Sequence, residues 1–194
     1  MKLEKLSIAG VWLGTSEIWS DDRGNFREWF KLSEVRENSN VNFGVHQSNI
    51  SFSKKGVIRG IHYSLAKEGQ SKWVTCVKGR ILDVVVDIRP DSPTFKEHLI
   101  VELNEENGRS LLIENGLGHA FLSLQDNTAV CYLLNSPYSP SDEHAINPLD
   151  PELNIRWNSL FVDLDQFILS NKDTNAPFLL EQLNIGKLPL ISKD

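Results

Sequence analysis

Short runs of apolar residues, many of them alternating with polar ones, fill the middle of the chain. Turn residues such as Lys78-Gly79, Asp91-Ser92-Pro93 and Asp126-Asn127 separate these runs. Helical patterns are confined to the segments 32–37 and 176–183. Regularly spaced short strands of this kind predict an all-β sandwich or barrel with short flanking helices. The predicted strands lie at 43–52, 57–63, 72–78, 80–88, 98–103, 110–114, 119–125 and 128–134.

The first of two predicted hairpins turns at Lys78-Gly79, with two residues in the turn. It would place Lys72 opposite Val85, with Asp83 and Asp87 as its diagonal neighbours. Because side chains alternate along a strand, the other face would be purely apolar. That face would consist of Leu82, Val84, Val86 and Ile88.

A second hairpin is predicted at Asp126-Asn127, with Phe121 opposite Tyr132. One face would then carry the polar and aromatic side chains, namely His119, Phe121, Val130 and Tyr132. If both hairpins curve around one cavity, Lys72, His119 and Tyr132 would lie together in it. A register slip of one residue would reverse the faces, so this placement depends on the two turns.

Lys72 and Tyr132, together with His62 of the strand at 57–63, suit proton transfer at a carbonyl compound. A neutral His62 is a base near pH 7, Lys72 stabilises a developing oxyanion, and Tyr132 supplies or takes a proton. Together they suffice to enolise a ketone and to reprotonate it from the opposite face. Strict alternation puts Arg59 and His62 on opposite faces of their strand, so a bulge near Gly60 is needed if both line the cavity.

A metal site is the alternative interpretation of the same region. A metal-binding barrel of the cupin type would need a second histidine two residues from the first, but His62 is followed by Tyr63 and Ser64. The positive charge of Lys72 would also repel a divalent cation. A site built from three histidines on distant strands stays open, since the chain also contains His46, His98 and His144.

Composition and charge narrow the class of protein. The 194 residues are 40% hydrophobic and 24% charged, and they contain no internal repeat or linker, which favours one domain over 1–194 with its β-strand core at about 43–135. The net charge of −6 argues against general nucleic-acid binding but leaves open a local basic pocket for a small anion. No apolar run is long enough for a membrane span, and the N-terminus does not resemble a signal peptide. Cys76 and Cys131 lie in apolar strands, which predicts buried, reduced thiols and a cytoplasmic protein.

Several motifs, taken together, resemble the dTDP-4-dehydrorhamnose 3,5-epimerase family. They are DDRGNFREWF, GVIRGIHYSL, QSKWVTCVKGRILDVVVDIRPDSPTF, LLIENGLGHAFLSL and SNKDTNAP, in the order of the family and over residues 16–177. The resemblance implies a cupin-type β jelly roll that is homodimeric and needs no metal or other cofactor. It also implies a dTDP-linked 4-keto-6-deoxyhexose as substrate and a role in deoxysugar biosynthesis.

The resemblance further implies a role for individual residues. His62 matches the general base, Asp173 the carboxylate that orients it, Lys72 the lysine near the 4-keto oxygen, and Tyr132 the general acid. The implied substrate-binding residues are Arg23, Phe26, Glu28, Gln47, Asn49, Arg59, His119, Tyr138, Glu143 and Lys172, with Tyr138 stacking on the nucleobase and no metal ligand among them.

Three positions depart from the pattern of the rhamnose-pathway members. Ser48 stands where the family usually has an acidic residue, and His144 and Asn147 stand where those members usually have arginines. The acid–base set is untouched, so the departures concern the substrate and product. They leave open an epimerase of only C3 or C5 from a modified-sugar pathway. A metal-dependent cupin oxygenase and a non-catalytic sugar-nucleotide binding protein are the more distant alternatives.

Overall fold

The structure of the chain, a computed structural model, describes residues 1–39, 41, 43–159 and 167–191. The strands are β1 Lys2–Lys5, β2 Val11–Thr15, β3 Trp19–Asp21, β4 Gly24–Phe26, β5 Gln47–Ser53, β6 Ile58–Ser64, β7 Lys72–Lys78, β8 Arg80–Asp87, β9 His98–Asn104, β10 Arg109–Ile113, β11 Leu117–Ser123, β12 Thr128–Leu134 and β13 Glu143–Ala145. The helices are α1 Leu32–Ser39, α2 Asn171–Thr174 and α3 Leu179–Asn184, with a 3₁₀ turn at Trp157–Ser159.

Two antiparallel sheets face each other. The six-stranded sheet has the order β1-β2-β10-β7-β12-β5, and the five-stranded sheet has the order β13-β6-β11-β8-β9. A separate hairpin is formed by β3 and β4. The prediction of an all-β jelly roll of the cupin type with short flanking helices is confirmed, and all of the predicted strands are present. The sheets also include β1, β2 and β13, which the sequence pattern missed.

The space between the sheets holds an apolar cluster. Other elements cover part of each outer face. On the five-stranded sheet, α3 contributes Leu179 and the 3₁₀ turn contributes Trp157 to the cover. On the six-stranded sheet, Val35 of α1 and Phe43 pack against Trp73. Burial of each large side chain stabilises the fold by about 1.5–3 kcal/mol. The cluster between the sheets comprises Ile8, Val11, Val74, Cys76, Ile81, Val85, Leu103, Leu111, Ile113, Leu117, Phe121 and Val130.

The predicted hairpin at Lys78-Gly79 is wrong. Strand β7 pairs with β10 and β12, whereas β8 pairs with β9 and β11, so the chain passes from one sheet to the other at Gly79, where φ is +77°. Lys72 therefore does not lie opposite Val85 within a sheet. The grouping of side chains survives, because the inward residues of the two strands meet across the sandwich. Asp87 is held by Arg89, with Nη2 donating to Oδ2 at 2.8 Å, and is not a neighbour of Lys72.

The predicted hairpin at Asp126-Asn127 is wrong for the same reason. Strand β11 belongs to the five-stranded sheet and β12 to the six-stranded sheet, with Asn127 (φ +57°) at the corner between them. Phe121 lies opposite Asp83 and Arg59 in its sheet and is not paired with Tyr132. The two strands still direct their predicted faces toward the same interior.

Both cysteines are free thiols, as the sequence predicts. Cys76 is buried between the sheets, but Cys131 is only half-buried, which corrects the expectation of two buried thiols. Its neighbour in β5 is Ile50, which is exposed on the outer side of the sheet. Within the described part of the chain, no helix has the length and apolar character needed to cross a membrane.

Candidate active site

A cavity of about 170 Å³ lies between the two sheets. Its lining includes Lys72 from β7, His119 from β11 and Tyr132 from β12, so the predicted convergence of these three residues is confirmed. Phe121 and Val130 belong both to the apolar cluster between the sheets and to the cavity lining. The complete lining is Ser51, Arg59, His62, Lys72, His119, Phe121, Val130 and Tyr132.

The bulge predicted near Gly60 is present. Between the pairs His119–His62 and Phe121–Arg59, strand β6 has one residue more than β11. The extra residue turns both Arg59 and His62 into the cavity. Gly60 has φ +118°, and a Cβ there would lie 2.5 Å from the carbonyl oxygen of His119, so only glycine fits. The bulge therefore explains how neighbouring residues of one strand serve one site.

His62 is paired with the carboxylate of Asp173. The distance from Nε2 to Oδ1 is 2.7 Å, and Asp173 lies in α2, 111 residues further along the chain. Ser170, the N-cap of α2, donates to Asp173 Oδ2 at 2.8 Å and accepts from its backbone N–H. Burial disfavours the charge on Asp173, but hydrogen bonds from His62, Ser170 and the Gly60 backbone hold its pKa below the usual range. With Asp173 accepting the Nε2 proton, Nδ1 is the basic nitrogen of the neutral His62 ring.

Lys72 enters the cavity from the six-stranded sheet. Burial lowers the pKa of its amine, while the negative charges of Glu143 and Asp83 act in the opposite direction. Among the described residues, no carboxylate lies within ion-pairing distance of its Nζ. The ammonium group is therefore available to a ligand oxygen.

Tyr132 faces His62 from the opposite sheet. Burial raises the pKa of its phenol, whereas a hydrogen bond with Asn49 and the charge of Arg59 lower it. The raised pKa keeps the hydroxyl protonated at neutral pH. A base and a protonated phenol thus lie on the two walls of one cavity. This is the geometry needed to remove a proton from one face of a ring and to deliver one to the other.

A second histidine–aspartate pair lies beside the first. Nε2 of His119 is 2.9 Å from both carboxylate oxygens of Asp83, and neither side chain is well exposed. The sequence indicated each residue separately but not their pairing. The pairing follows from the register of β8 with β11, where His119 lies opposite Val85 and Asp83 opposite Phe121. A diagonal contact of this kind is visible only once the correct strand pair is known.

Glu143 of β13 and three residues at or near β5 lie close to the cavity without lining it. Glu143 Oε1 is buried without a hydrogen-bond partner in the described part of the chain, and its charge acts on Lys72 and Tyr132. Gln47 Nε2 donates to Asn49 Oδ1 at 3.0 Å. The side-chain oxygen of Gln47 accepts from the backbone N–H of Tyr138 at 2.8 Å, and the Tyr138 ring is 54% exposed. A buried acceptor and an exposed aromatic ring are thereby close to the same acid–base set.

A second cleft of about 340 Å³ adjoins the cavity and shares Arg59 and His62 with it. Lys172 of α2 lines this cleft. The Arg59 guanidinium is held by Ser53 Oγ and by the Phe52 carbonyl, each at 3.1 Å. The two cations, Arg59 and Lys172, lie next to the cavity and suit an anionic substituent of a ligand. Within the described part of the chain, no three His, Cys, Asp or Glu side chains are grouped so as to hold a metal ion.

Comparison with known proteins places this site in a family. The family model for dTDP-4-dehydrorhamnose 3,5-epimerase matches residues 5–181. The chain belongs to the dTDP-4-dehydrorhamnose 3,5-epimerase family. It is 43% identical over 189 residues to the enzyme of that name from Mycolicibacterium smegmatis, a match that covers 97% of this chain and 91% of the relative.

Solved structures of epimerases have the same fold. The epimerase of Mycobacterium tuberculosis superposes with a TM-score of 0.94 at 40% identity, covering 98% of this chain and 94% of that one. A 3′-monoepimerase from Streptomyces bikiniensis, in complex with dTDP-quinovose, superposes with a TM-score of 0.90 at 43% identity, covering 95% and 91%. Enzymes that epimerise two carbons and enzymes that epimerise one are therefore both similar to this chain.

Five of the fourteen residues that the epimerase resemblance points to line the cavity, and Lys172 and Asp173 line the adjoining cleft. Three others lie in a separate segment, in or next to the β3–β4 hairpin. Arg23 and Phe26 belong to the β3–β4 hairpin, where Arg23 pairs with Asp21 and Phe26 stacks on Trp19 at 5.9 Å between ring centroids. Glu28 follows the hairpin and pairs with a lysine of its own segment at 3.0 Å. The fold of a single chain therefore does not bring this part of the predicted set together with His62.

The departures from the rhamnose-pathway pattern also lie away from the acid–base set. His144 stacks on Tyr63 with 5.5 Å between ring centroids, and Asn147 Nδ2 donates to the Thr174 carbonyl at 3.0 Å. Ser48 is exposed on the edge strand β5. None of the three is among the residues that line the cavity. In this epimerase-family chain, the changes lie outside the cavity lining and leave His62, Tyr132 and Lys72 in place.

Proposed function

We propose that the protein epimerises C3, C5 or both carbons of a dTDP-linked 4-keto-6-deoxyhexose in deoxysugar biosynthesis. One observation carries the proposal: His62 and Tyr132 line the same cavity from opposite sheets, with Lys72 in the wall as well. The M. smegmatis relative is named dTDP-4-dehydrorhamnose 3,5-epimerase. The free thiols of Cys76 and Cys131 support a cytoplasmic location, where thiols stay reduced.

The proposed reaction proceeds through an enolate. C3 and C5 flank the C4 ketone, so His62 takes a proton from either carbon while the bonding electrons move to O4. Asp173 keeps the His62 ring in one tautomer and stabilises the imidazolium that forms. The Lys72 ammonium stabilises the charge on O4, and the Tyr132 hydroxyl delivers a proton to the opposite face of the carbon. Solvent then returns a proton to Tyr132 and removes one from His62, which completes the cycle.

The cleft beside the cavity suits the nucleotide part of such a substrate. Arg59 and Lys172 provide two cations for the diphosphate, and guanidinium groups bind phosphate oxygens in a bidentate manner. The exposed Tyr138 ring is proposed to stack on the nucleobase. Residues around the cavity that would contact the sugar are Gln47, Asn49, His119 and Glu143.

Product analysis in deuterated water tests this function. We expect the protein, incubated with dTDP-4-keto-6-deoxyglucose in D₂O and excess EDTA, to form an epimer that carries deuterium at each inverted carbon. NMR of the product then distinguishes epimerisation at C3 alone, at C5 alone and at both carbons. Activity that EDTA abolishes and a metal ion restores would contradict the metal-free mechanism and favour a cupin metalloenzyme. Nucleotide binding without any exchange would favour a non-catalytic binding protein.

Lys72→Ala should weaken catalysis far more than substrate binding. The lysine charge matters most when O4 becomes an enolate oxygen, and removal of such a group lowers kcat by about 10²–10³-fold. Steady-state kinetics with the same substrate measure kcat and KM separately. Lys96→Ala is the matched control, since Lys96 pairs with Glu152 on the surface at 2.7 Å and should leave both constants unchanged. An unchanged kcat with a raised KM in Lys72→Ala would limit this lysine to binding.

We also propose that the working unit is a homodimer. Arg23 and Phe26 match substrate-binding positions of the family but lie on an exposed hairpin, with the Phe26 side chain 65% exposed. They line only a surface pocket of their own hairpin, and they would serve the cavity that holds His62 if the hairpin extends to the site of a second copy. The outer face of the edge strand β5 also presents Ile50 and Phe52, 55% and 63% exposed, and Val77 of β7, two strands away in the same sheet, is exposed as well. A subunit interface would cover this apolar surface.

A mixing experiment tests the shared site directly. Light scattering should give twice the mass of the chain. In a dimer with shared sites, the homodimers of both variants have impaired activity. The His62→Ala homodimer lacks the base, and the Arg23→Ala homodimer binds substrate weakly, so its loss of activity is measured at low substrate concentration. The mixed dimer, however, has one site with both an intact His62 and an intact hairpin from the other subunit. Mixing the two variants under subunit exchange should therefore restore about a quarter of wild-type activity. A monomeric mass, or no recovery beyond the average of the parents, would contradict the proposal.

A further inference from the structure

Asp83 is a carboxylate in an apolar setting. It lies in the middle of β8, on the inward face between Ile81 and Val85, and it is completely buried. A buried charge is strongly unfavourable unless other groups compensate it. The groups that compensate the charge of Asp83 therefore indicate the role of this residue.

His119 is the hydrogen-bond partner of Asp83. Both carboxylate oxygens lie 2.9 Å from the same nitrogen, Nε2. One N–H cannot satisfy two oxygens of an ionised carboxylate, which together accept up to about four hydrogen bonds. When the His119 ring is neutral, this contact also leaves the charge of Asp83 without a counter-ion. The geometry holds the ring in the tautomer that has its proton on Nε2, and it leaves Nδ1 as an acceptor.

Lys72 lies across the sandwich, in the lining of the same cavity as His119, the hydrogen-bond partner of Asp83. Asp83 and Glu143 are the carboxylates whose charges act on its amine. Lys72 forms no ion pair with either of them in the described part of the chain, so the charges balance without blocking the ammonium. The titratable and charged groups around Lys72 are Arg59 and His62 of β6, Asp83 of β8, His119 of β11, Tyr132 of β12 and Glu143 of β13.

We propose that Asp83 is a positioning residue for the proposed epimerase reaction, on which this inference rests. Its buried carboxylate holds the His119 ring in place and balances the charge of Lys72, so that the lysine meets the substrate ketone as an ammonium ion. A neutral amine would stabilise the enolate oxygen far less. Asp83 itself lines neither the cavity nor the cleft and so acts through its two neighbours.

Asp87, four residues further along the same strand, is a buried carboxylate with a different environment. Its oxygens accept hydrogen bonds from Arg89, Ser92 and Thr94, and Arg89 neutralises its charge at 2.8 Å. These partners connect the end of β8 to the turn that follows it, which is a structural role. In the described part of the chain, Asp83 has no arginine, serine or threonine partner of this kind. The comparison separates a carboxylate that stabilises a turn from one that serves the cavity.

Titration of Lys72 by NMR tests the charge balance without reference to activity. With lysine labelled at Cε with ¹³C, the Lys72 resonance is assigned by its loss in Lys72→Met. Removal of a nearby opposite charge in Asp83→Asn should lower the pKa of Lys72 by about one unit or more. Asp87→Asn should lower the melting temperature but leave the Lys72 titration unchanged. Asp83→Glu keeps the charge and should retain most of the wild-type pKa. If Asp83→Asn is insoluble, Asp83→Ser carries the same expectation.

The pH dependence of turnover provides the second readout. Because the ammonium form is the active one, the alkaline limb of kcat/KM should move to lower pH by the same amount in Asp83→Asn. Binding of dTDP alone, measured by calorimetry, should be unchanged, since the nucleotide does not contact Asp83. A Lys72 pKa within about 0.3 unit of wild type in a folded Asp83→Asn would overturn the proposal. Absence of deuterium incorporation by the wild-type protein would instead overturn the epimerase function, and the Lys72 titration is independent of that result.

Discussion

Replacing His62 by alanine is expected to stop exchange of the C3 and C5 protons of the substrate with solvent. His62 is the proposed base, and Asp173 orients its ring with 2.7 Å between Nε2 and Oδ1, so no enolate should form without it. A general base contributes about 10²–10⁴-fold to the rate, and epimerisation should fall by that factor. NMR of the recovered substrate and product in D₂O measures exchange and inversion in the same sample.

The control for His62→Ala is another histidine of the sheet region. His98 lies on β9 and does not line the cavity, so His98→Ala should exchange and epimerise at close to the wild-type rate. The variant His62→Ala should also still bind dTDP, because Arg59 and Lys172, the proposed diphosphate ligands of the adjoining cleft, are unchanged. Near wild-type exchange in a folded His62→Ala protein would assign proton removal to another group.

Replacing Tyr132 by phenylalanine should separate exchange from inversion. The variant keeps His62 and Lys72, so the enolate still forms and the carbon still gains deuterium. The donor on the opposite wall is lost, and the proton returns from the side on which it left. We therefore expect residual deuterium in recovered substrate and a loss of inverted product of about 10²–10⁴-fold.

Tyr63→Phe provides the matched control for the loss of a phenol. The Tyr63 hydroxyl donates to the Lys187 carbonyl at 2.8 Å, away from the cavity. Its removal should lower stability by about 1 kcal/mol without changing the ratio of exchange to inversion. Normal inversion by Tyr132→Phe would show that water or a different residue is the donor. Equal loss of exchange and inversion would assign Tyr132 to enolate formation instead.

Alternation and composition alone determined the strands and the residues that face the interior. Both signals are local, because a strand directs every second side chain to the same face whatever its partner is. The segments that the pattern missed have little of this signal. Strand β1 has the sequence KLEK, and β13 has only three residues, so their place in the sheets depends on hydrogen bonds with neighbouring strands. The need for a bulge at Gly60 was also local, since it followed from the spacing of Arg59 and His62.

The tertiary structure decided which strands are neighbours. Alternation is the same for two strands side by side in a hairpin and for two strands packed face to face, so the corners at Gly79 and Asn127 looked like hairpin turns. The sandwich is favoured because β8 has apolar side chains to bury on both faces. Ile81 and Val85 face the other sheet, and outer residues such as Val84 are buried under the C-terminal segments.

Contacts between residues distant in sequence could not be predicted from the pattern of apolar and polar positions either. Asp173 meets His62 across 111 residues, and Asp83 meets His119 across 36. Motif resemblance suggested the first pair, but no local signal suggested the second, because it depends on the register of two particular strands. The sequence by itself thus determined which side chains face the interior and which of them have acid–base chemistry. Only the tertiary structure decided which of them touch, because those contacts depend on strand pairing and on the docking of α2, and not on the order of residues along the chain.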